Sequence, residues 1–326
     1  MISRAVDFGD ILDHSAPVRQ RSSPSASPAG TQKGAQKASH LALGVAVVAI
    51  SFAAIFFKLA EPTPPAISAG TRLAFAAMMM LPFTVRAALR GLLPAMVVKA
   101  GLICGVFYGL HFGSWVTSLS LTSVAASVTL VTATPLFLAL VGWWTGRDAP
   151  SGRTWWAIAI ALVGTLIIGW ADLSADPDAL VGDALALLGA LAMVGYLIQV
   201  RTLGHHLEAQ GRPPLDVLAF AGLTTSVGAT CLFLVAALGP GELSVPQTSA
   251  LGWLLLGALV PQLVGHNLLT WVLRRTAPTV VGLATVGEPV VSAALGWIWL
   301  DEPVALLTGL GCGVVLAGIA VGVTKA

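Results

Sequence analysis

The sequence predicts an all-α polytopic membrane protein of ten transmembrane helices, arranged as two inverted five-helix repeats. Three observations carry this expectation. The 326 residues are 56% hydrophobic and 10% charged, with a mean hydropathy of +0.86, against roughly 25% charged residues in a soluble domain. Apolar runs recur from residue 41 almost to the end, each near the length of about 20 residues that a bilayer core asks of a helix. A shift of 154 residues then lays the second half of the chain over the first.

Residues 1–38 are rich in Ser, Pro, Ala, Gly and Gln and hold no apolar run fit for a signal peptide, so they read as a disordered cytoplasmic tail. The first repeat, 39–171, contains spans at 40–60, 65–84, 97–117, 121–144 and 152–171, marked off by Pro, Gly and charge clusters. An external linker, 172–181, leads to the second repeat, 182–323, with spans at 182–201, 215–238, 249–272, 277–300 and 304–323. Residues 324–326 form a cytoplasmic C-terminus. The short links SLSLTS and RRTAP make the spans they join antiparallel neighbours.

The distribution of charge sets the orientation, because Lys and Arg gather in short cytoplasmic loops. With the N-terminus inside, all of the 17 basic residues except Lys58 and Arg72 fall in cytoplasmic segments: the tail, Arg86, Arg90 and Lys99, Arg147 and Arg153, Arg201 and Arg212, Arg274 and Arg275, and Lys325. The opposite loops hold Asp172, Asp176, Asp178, Glu242, Asp301 and Glu302. An error of one span would scramble this alternation. Both termini are therefore expected in the cytoplasm, and the chain in a bacterial inner membrane.

The repeat register sets Thr122 on Thr276, Pro135 on Pro289, Ala139 on Ala293, Gly142 on Gly296, Trp143 on Trp297, Asp148 on Glu302 and Gly164 on Gly318, without a gap. Five spans per half is an odd number, so the second half enters the membrane inverted. Two similar halves related by an in-plane axis can give outward-open and inward-open states of similar energy, which is the arrangement of secondary transporters. The segments ATPLFLALVGWWTGRDAPSGRTWWAIAIALVGTLIIG and GEPVVSAALGWIWLDEPVALLTGLGCGVVLAGIAVG resemble the paired C-terminal portions of EamA-type repeats in the drug/metabolite transporter superfamily. The resemblance covers roughly residues 40–323. It implies a central cavity built by spans of both repeats, and it is what favours export over import. One departure is Asp148-Ala149, where Glu-Arg or Glu-Pro is usual.

Polar groups in a bilayer core are costly unless paired or wet, so those far from span ends are the candidates. Tyr108, His111 and Trp115 recur at helical spacing on one face of the third span, and Gln262, His266 and Asn267 nearly do so in the eighth. The register sets Tyr108 over Gln262, so these faces are expected to meet across a shared cavity, with Tyr196 and Gln199 of the sixth span. The histidines could equally be structural hydrogen bonders, and the aromatics interface anchors. Arg72 could snorkel to the headgroups, or pair with Glu288 or with a substrate carboxylate. Glu288, beside the helix-breaking Pro289, could carry a proton, contact a substrate amine, or brace Arg72 or a histidine. Its register partner is Thr134, not an acid. Pro135 is the matching break in the first half.

Cys104, Cys231 and Cys312 stand alone in apolar runs and read as small core residues. His205 and His206 follow Arg201 in a solvated loop. No metal or cofactor is expected, and the expected partners are a small-molecule substrate and the lipid bilayer, not nucleic acid, with the protein a monomer or homodimer. A GxxxxGK[ST] loop is absent from the sequence, so ATP is not expected to drive it directly. The expected function is a secondary transporter exporting a small organic metabolite, an amino acid or drug-like amphiphile, by alternating access, with proton coupling as one option. The alternatives are an intramembrane lipid-modifying enzyme, for which neither a GxSxG elbow nor an HExxH helix is present, and a non-transporting scaffold.

Overall fold

Proline positions explain where the helices of this chain stop, and the computed structural model shows it three times. It describes residues 29–122, 124–145, 151–170, 177–239, 244–273, 275–276, 278–301 and 306–323. The expected acid pair Asp148 and Glu302, the linker acids Asp172 and Asp176, and Arg274 lie outside these residues, as do most of the tail and the C-terminal 324–326. All regular structure described is helical. The chain divides into two units, Met1–Ala38 and Ser39–Ala326.

Helix α1 spans Ala29–Leu59, so residues 29–38 of the expected disordered tail are helical. The run AQKAS is rich in Ala, Gln and Lys, which are good helix formers. Helices α2 (Pro65–Leu89) and α3 (Ala95–Leu121) follow. Proline opens α2, where its missing N–H would have had no partner anyway.

The fourth expected span is broken into α4 (Val124–Val131) and α5 (Thr134–Thr145). A proline clashes with the carbonyl four residues earlier and withholds the N–H that would bond it. Four residues before Pro135 is Val131, where α4 ends. After α6 (Gly152–Trp170), α7 (Pro177–Ala209) begins inside the expected linker. Helix α8 (Val217–Leu238) is capped by the Asp216 carboxylate, which accepts the Ala219 N–H at 3.1 Å.

The eighth expected span is not one α-helix. It consists of α9 (Thr248–Gly257), a π-helical segment (Ala258–His266) and α10 (Asn267–Leu273). Pro261 lies four residues after Gly257, and the ladder widens there because the α-helical bond is unavailable. The ninth span breaks as the fourth does, into α11 (Pro278–Thr285) and α12 (Glu288–Leu300), four residues separating Thr285 from Pro289. The two breaks stand in the 154-residue register: Val131 with Thr285 and Thr134 with Glu288. Helix α13 (Leu306–Val323) closes the chain.

Among the described residues, six helices are long and apolar enough to cross a membrane: α1 from Lys37, α2, α3, α7 from Leu180, α8, and the run Thr248–Leu273. The remaining expected spans are the two broken ones and α6 and α13, whose apolar stretches, Gly152–Ile167 and Gly309–Gly318, are shorter. Large apolar side chains such as Val106, Leu110, Leu234 and Leu316 face outward, which suits lipid and not water. The register twins Trp143 and Trp297 are both exposed.

The main packing pairs are α2 with α8, α3 with α7 and α8, and α6 with α13. The last pair is reciprocal. A Cβ added at Gly164 would lie 2.7 Å from Val315 N and 2.8 Å from Gly311 O, and one added at Gly318 would lie 2.7 Å from Ala161 N and 2.9 Å from Ala157 O. Residues 157, 161 and 164 map onto 311, 315 and 318 by the same shift of 154. Small residues let the two backbones touch, as is common where lipid supplies no hydrophobic drive for helix association.

Candidate functional site

Two helix breaks, α1, α3, α7 and the π segment surround a cavity of ≈ 80 Å³. Such a volume holds a few waters, far less than the roughly 300–1,000 Å³ of pockets that take drug-sized ligands. His111 and Trp115 line it from α3, Tyr196 and Met193 from α7, His266 at the end of the π segment, and Thr132, Thr134, Thr285 and Glu288 at the breaks. Register twins line it together: Trp115 with Leu269, Val131 with Thr285, and Thr134 with Glu288.

Hydrogen bonding orients the walls. His111 donates from Nδ1 to Gly189 O at 2.9 Å, since a carbonyl can only accept. That leaves Nε2 as the ring's other polar atom. Thr270 spends its hydroxyl proton on His266 O at 2.8 Å, so Tyr196 is the donor in the 3.3 Å contact between their hydroxyls. Ser292 of α12 donates to Ser51 O of α1 at 3.1 Å, tying the start of α12 to α1.

Behind the cavity lies a buried chain, Arg72–Gln262–Tyr108. Arg72 is 1% exposed, which rules out snorkelling. Its Nη2 donates to Gln262 Oε1 at 3.1 Å. A guanidinium only donates, so the Gln262 amide must turn Nε2 the other way, where it donates to the Tyr108 hydroxyl at 2.7 Å. Tyr108 and Gln262 are 154 residues apart, the shift of the sequence register. Removing either side chain's end strands its partner. Tyr108→Phe and Gln262→Leu are each expected to cost about 1–3 kcal/mol, with a coupling energy of about 1 kcal/mol in a double-mutant cycle. Unfolding in detergent measures it, and additive losses would show that the two residues do not interact.

The remaining candidates separate. Asn267 turns away, donating to Leu263 O at 2.8 Å and reaching Met80 Sδ of α2. Gln199 does not line the cavity. Arg72 and Glu288 form no ion pair; among the described residues the ion pair found is Lys58–Glu61, at 3.2 Å. No group of three metal-ligating side chains occurs among the described residues. Sequence reasoning missed Thr132, Thr134, Thr270 and Thr285, because a threonine can bond a nearby backbone carbonyl, as Thr134 and Thr270 do, wherever it faces. The π segment could have been read from Pro261.

Two larger pockets flank the cavity. One of ≈ 290 Å³ lies a turn or two further along α1 and α3, lined by Phe57, Lys58, Glu61, Val116 and Leu119. The other, of ≈ 670 Å³, lies below Tyr196 along α7 and α10 and is lined by Val200, Arg201, His205, Glu208, Arg212, Leu273 and Arg275. Phe57 and Trp115 close the first side, edge to face at 5.9 Å, and the buried Val200 and Leu273 stand on the second.

Comparison with known proteins bears on the family and the fold. The model of the EamA-like transporter family matches residues 37–170 and again 180–324. An uncharacterized transporter of Synechocystis sp. is 24% identical over 225 residues, covering 69% of this chain and 66% of that protein, so the match spans slightly under two thirds of the relative's length. A crystal structure described only as "Crystal structure of protein" superposes with a TM-score of 0.68 at 16% identity, covering 88% of this chain and 97% of the other. At that identity the likeness is one of fold.

Proposed function

This chain belongs to the EamA-like transporter family, and on that premise we propose that it is a secondary transporter exporting a small organic metabolite by alternating access. It is a multi-pass membrane protein, and family and relative alike point to a transporter and not an enzyme. Our reading adds that its helices make ten spans in two inverted repeats, with both termini cytoplasmic in a bacterial inner membrane.

The observation that carries it is the contact between register twins. Tyr108 bonds Gln262, and the Gly164 and Gly318 contacts repeat each other with the helices exchanged. Such reciprocity is the mark of a two-fold relation between halves, and it is what gives two states of similar energy. The double family match, each copy covering one half, supports the same reading.

The pockets fit one step of such a cycle. A cavity too small for substrate has larger pockets further along the same helices, on α1 and α3 to one side and on α7 and α10 to the other. The ≈ 670 Å³ pocket, with its arginines, faces the cytoplasm by the positive-inside rule. Substrate would enter there, displace Tyr196, Val200 and Leu273, and leave past Phe57 and Trp115.

Purified protein in liposomes loaded with a bacterial metabolite extract provides the test. Release of at least one metabolite well above protein-free liposomes is expected. If no metabolite is released, with or without a proton gradient, the transporter reading is wrong.

A further inference from the structure

Building on the transporter reading, we propose that Arg72 and Trp115 form a subsite for the carboxylate of an organic-acid substrate, held against the rings of Phe57 and Phe112. Arg72 and Trp115 are 1% and 3% exposed. Arg72 Nε and Nη1 and Trp115 Nε1 have no hydrogen-bond partner among the described residues. These are three buried donors without an acceptor, and native proteins rarely leave such groups unpaired. A guanidinium offers a planar fork of N–H groups that matches a carboxylate, and an indole N–H can only donate.

Packing explains how the charge is held without an anion. The Arg72 Cζ lies 4.5 Å from the centroid of Phe112 and 5.2 Å from that of Phe57. Ring faces attract the cation but accept none of its N–H groups in the plane. The same two rings contact Trp115, at 5.9 and 6.1 Å between centroids, and Trp115 lines the cavity. The guanidinium thus packs on two rings that also touch Trp115, a wall residue of the cavity, and Phe57 also lines the outer pocket. Outward movement of Phe57 would bring the fork and the indole N–H to face the cavity together.

Two further observations point to an anion. Glu288, the cavity's own acid, makes no ion pair with Arg72, so its carboxylate does not take up the two unbonded nitrogens of the guanidinium. The ≈ 670 Å³ pocket at the other end of the path gathers Arg201, Arg212, Arg275 and His205 around a single acid, Glu208. A cleft lined by one sign of charge concentrates solutes of the opposite sign.

The experiment uses liposomes loaded with equal amounts of four acids and their amides: benzoate, phenylacetate, leucine and phenylalanine against benzamide, phenylacetamide, leucinamide and phenylalaninamide. Release is followed by mass spectrometry, alongside unfolding temperature in detergent. The wild type is expected to release acids in preference to amides. Arg72→Met should lower the acid-to-amide ratio about tenfold or more, the loss expected when a charged hydrogen-bond partner is removed, and Trp115→Phe should lower it less. Arg72→Met leaves Gln262 Oε1 without its donor and should lower the unfolding temperature, so the readout is the acid-to-amide ratio within one folded preparation, which a loss of stability alone does not move. If wild-type protein prefers amides, or Arg72→Met keeps the wild-type ratio, the subsite is wrong while the transporter reading stands. Release of no compound from either set would instead overturn the transporter reading, and the subsite with it.

Discussion

Glu288→Gln is expected to abolish transport driven by a pH gradient while leaving exchange driven by a substrate gradient. The position argues for this. Glu288 is the acid among the cavity-lining residues, at the first turn of α12 directly after the Val286–Gly287 break. A broken helix at membrane depth is tolerated where it lines protein or a water-filled space, and an acid in a first turn suits the unpaired N–H groups there. Bracing of Arg72 is the role the geometry disfavours, because Arg72 turns to Gln262 and forms no ion pair with Glu288. Its twin, Thr134, lines the same cavity at the equivalent break without a charge, so the fold does not require an acid at this depth. Liposomes carrying Glu288→Gln, compared under a pH gradient and in counterflow, separate the possibilities. Gradient-driven transport at wild-type rate would exclude the proton-carrier role, and loss of both modes would assign Glu288 to substrate contact.

Gly164→Ala and Gly318→Ala should each destabilise the protein by about 2–3 kcal/mol, and by similar amounts. A single methyl at either site meets backbone atoms of the partner helix at 2.7–2.9 Å, and backbone cannot rotate aside as a side chain can. Overpacking of that kind costs roughly 1–3 kcal/mol. Reciprocity predicts the equality, since each glycine meets the same environment with α6 and α13 exchanged. Gly313→Ala provides the control: it lies on α13 with nothing within 4 Å of an added Cβ, and alanine there should be neutral or stabilise by up to about 1 kcal/mol through helix propensity. Urea or thermal unfolding in detergent reads all three. A large loss at one glycine and none at the other would contradict the two-fold contact.

Much of the layout was legible because the relevant signals are local. Pro135 and Pro289 announced their breaks, since the steric conflict lies within four residues of chain. Pro261 carried the same signal and went unread inside a span that otherwise looks continuous. The site was legible in part. His111, Trp115, Tyr196, His266 and Glu288 do line the cavity, whereas Tyr108 and Gln262, expected to face each other across it, do not line it and bond each other instead. Asn267 and Gln199 were expected there too, and they are elsewhere. Periodicity says which residues share a helix face, but a helix inside a bundle has neighbours on several faces. An asparagine turned to Met80 and a histidine turned to the cavity are indistinguishable until those neighbours are known.

Arg72 shows the same division most sharply. Sequence alone placed a cation within a membrane span and left open whether it reached for headgroups, an acid or a substrate, because a long flexible side chain can satisfy any of these. Packing decided that it is enclosed by Phe57 and Phe112, bonded to Gln262, and left with two donors unpaired. By itself the sequence determined the helical membrane class, the repeat register and two helix breaks, all of which follow from composition, periodicity and the covalent limits of proline. Which polar groups face one another, and how small the enclosed cavity is, depended on side chains brought together from helices more than a hundred residues apart, and only the tertiary structure could decide them.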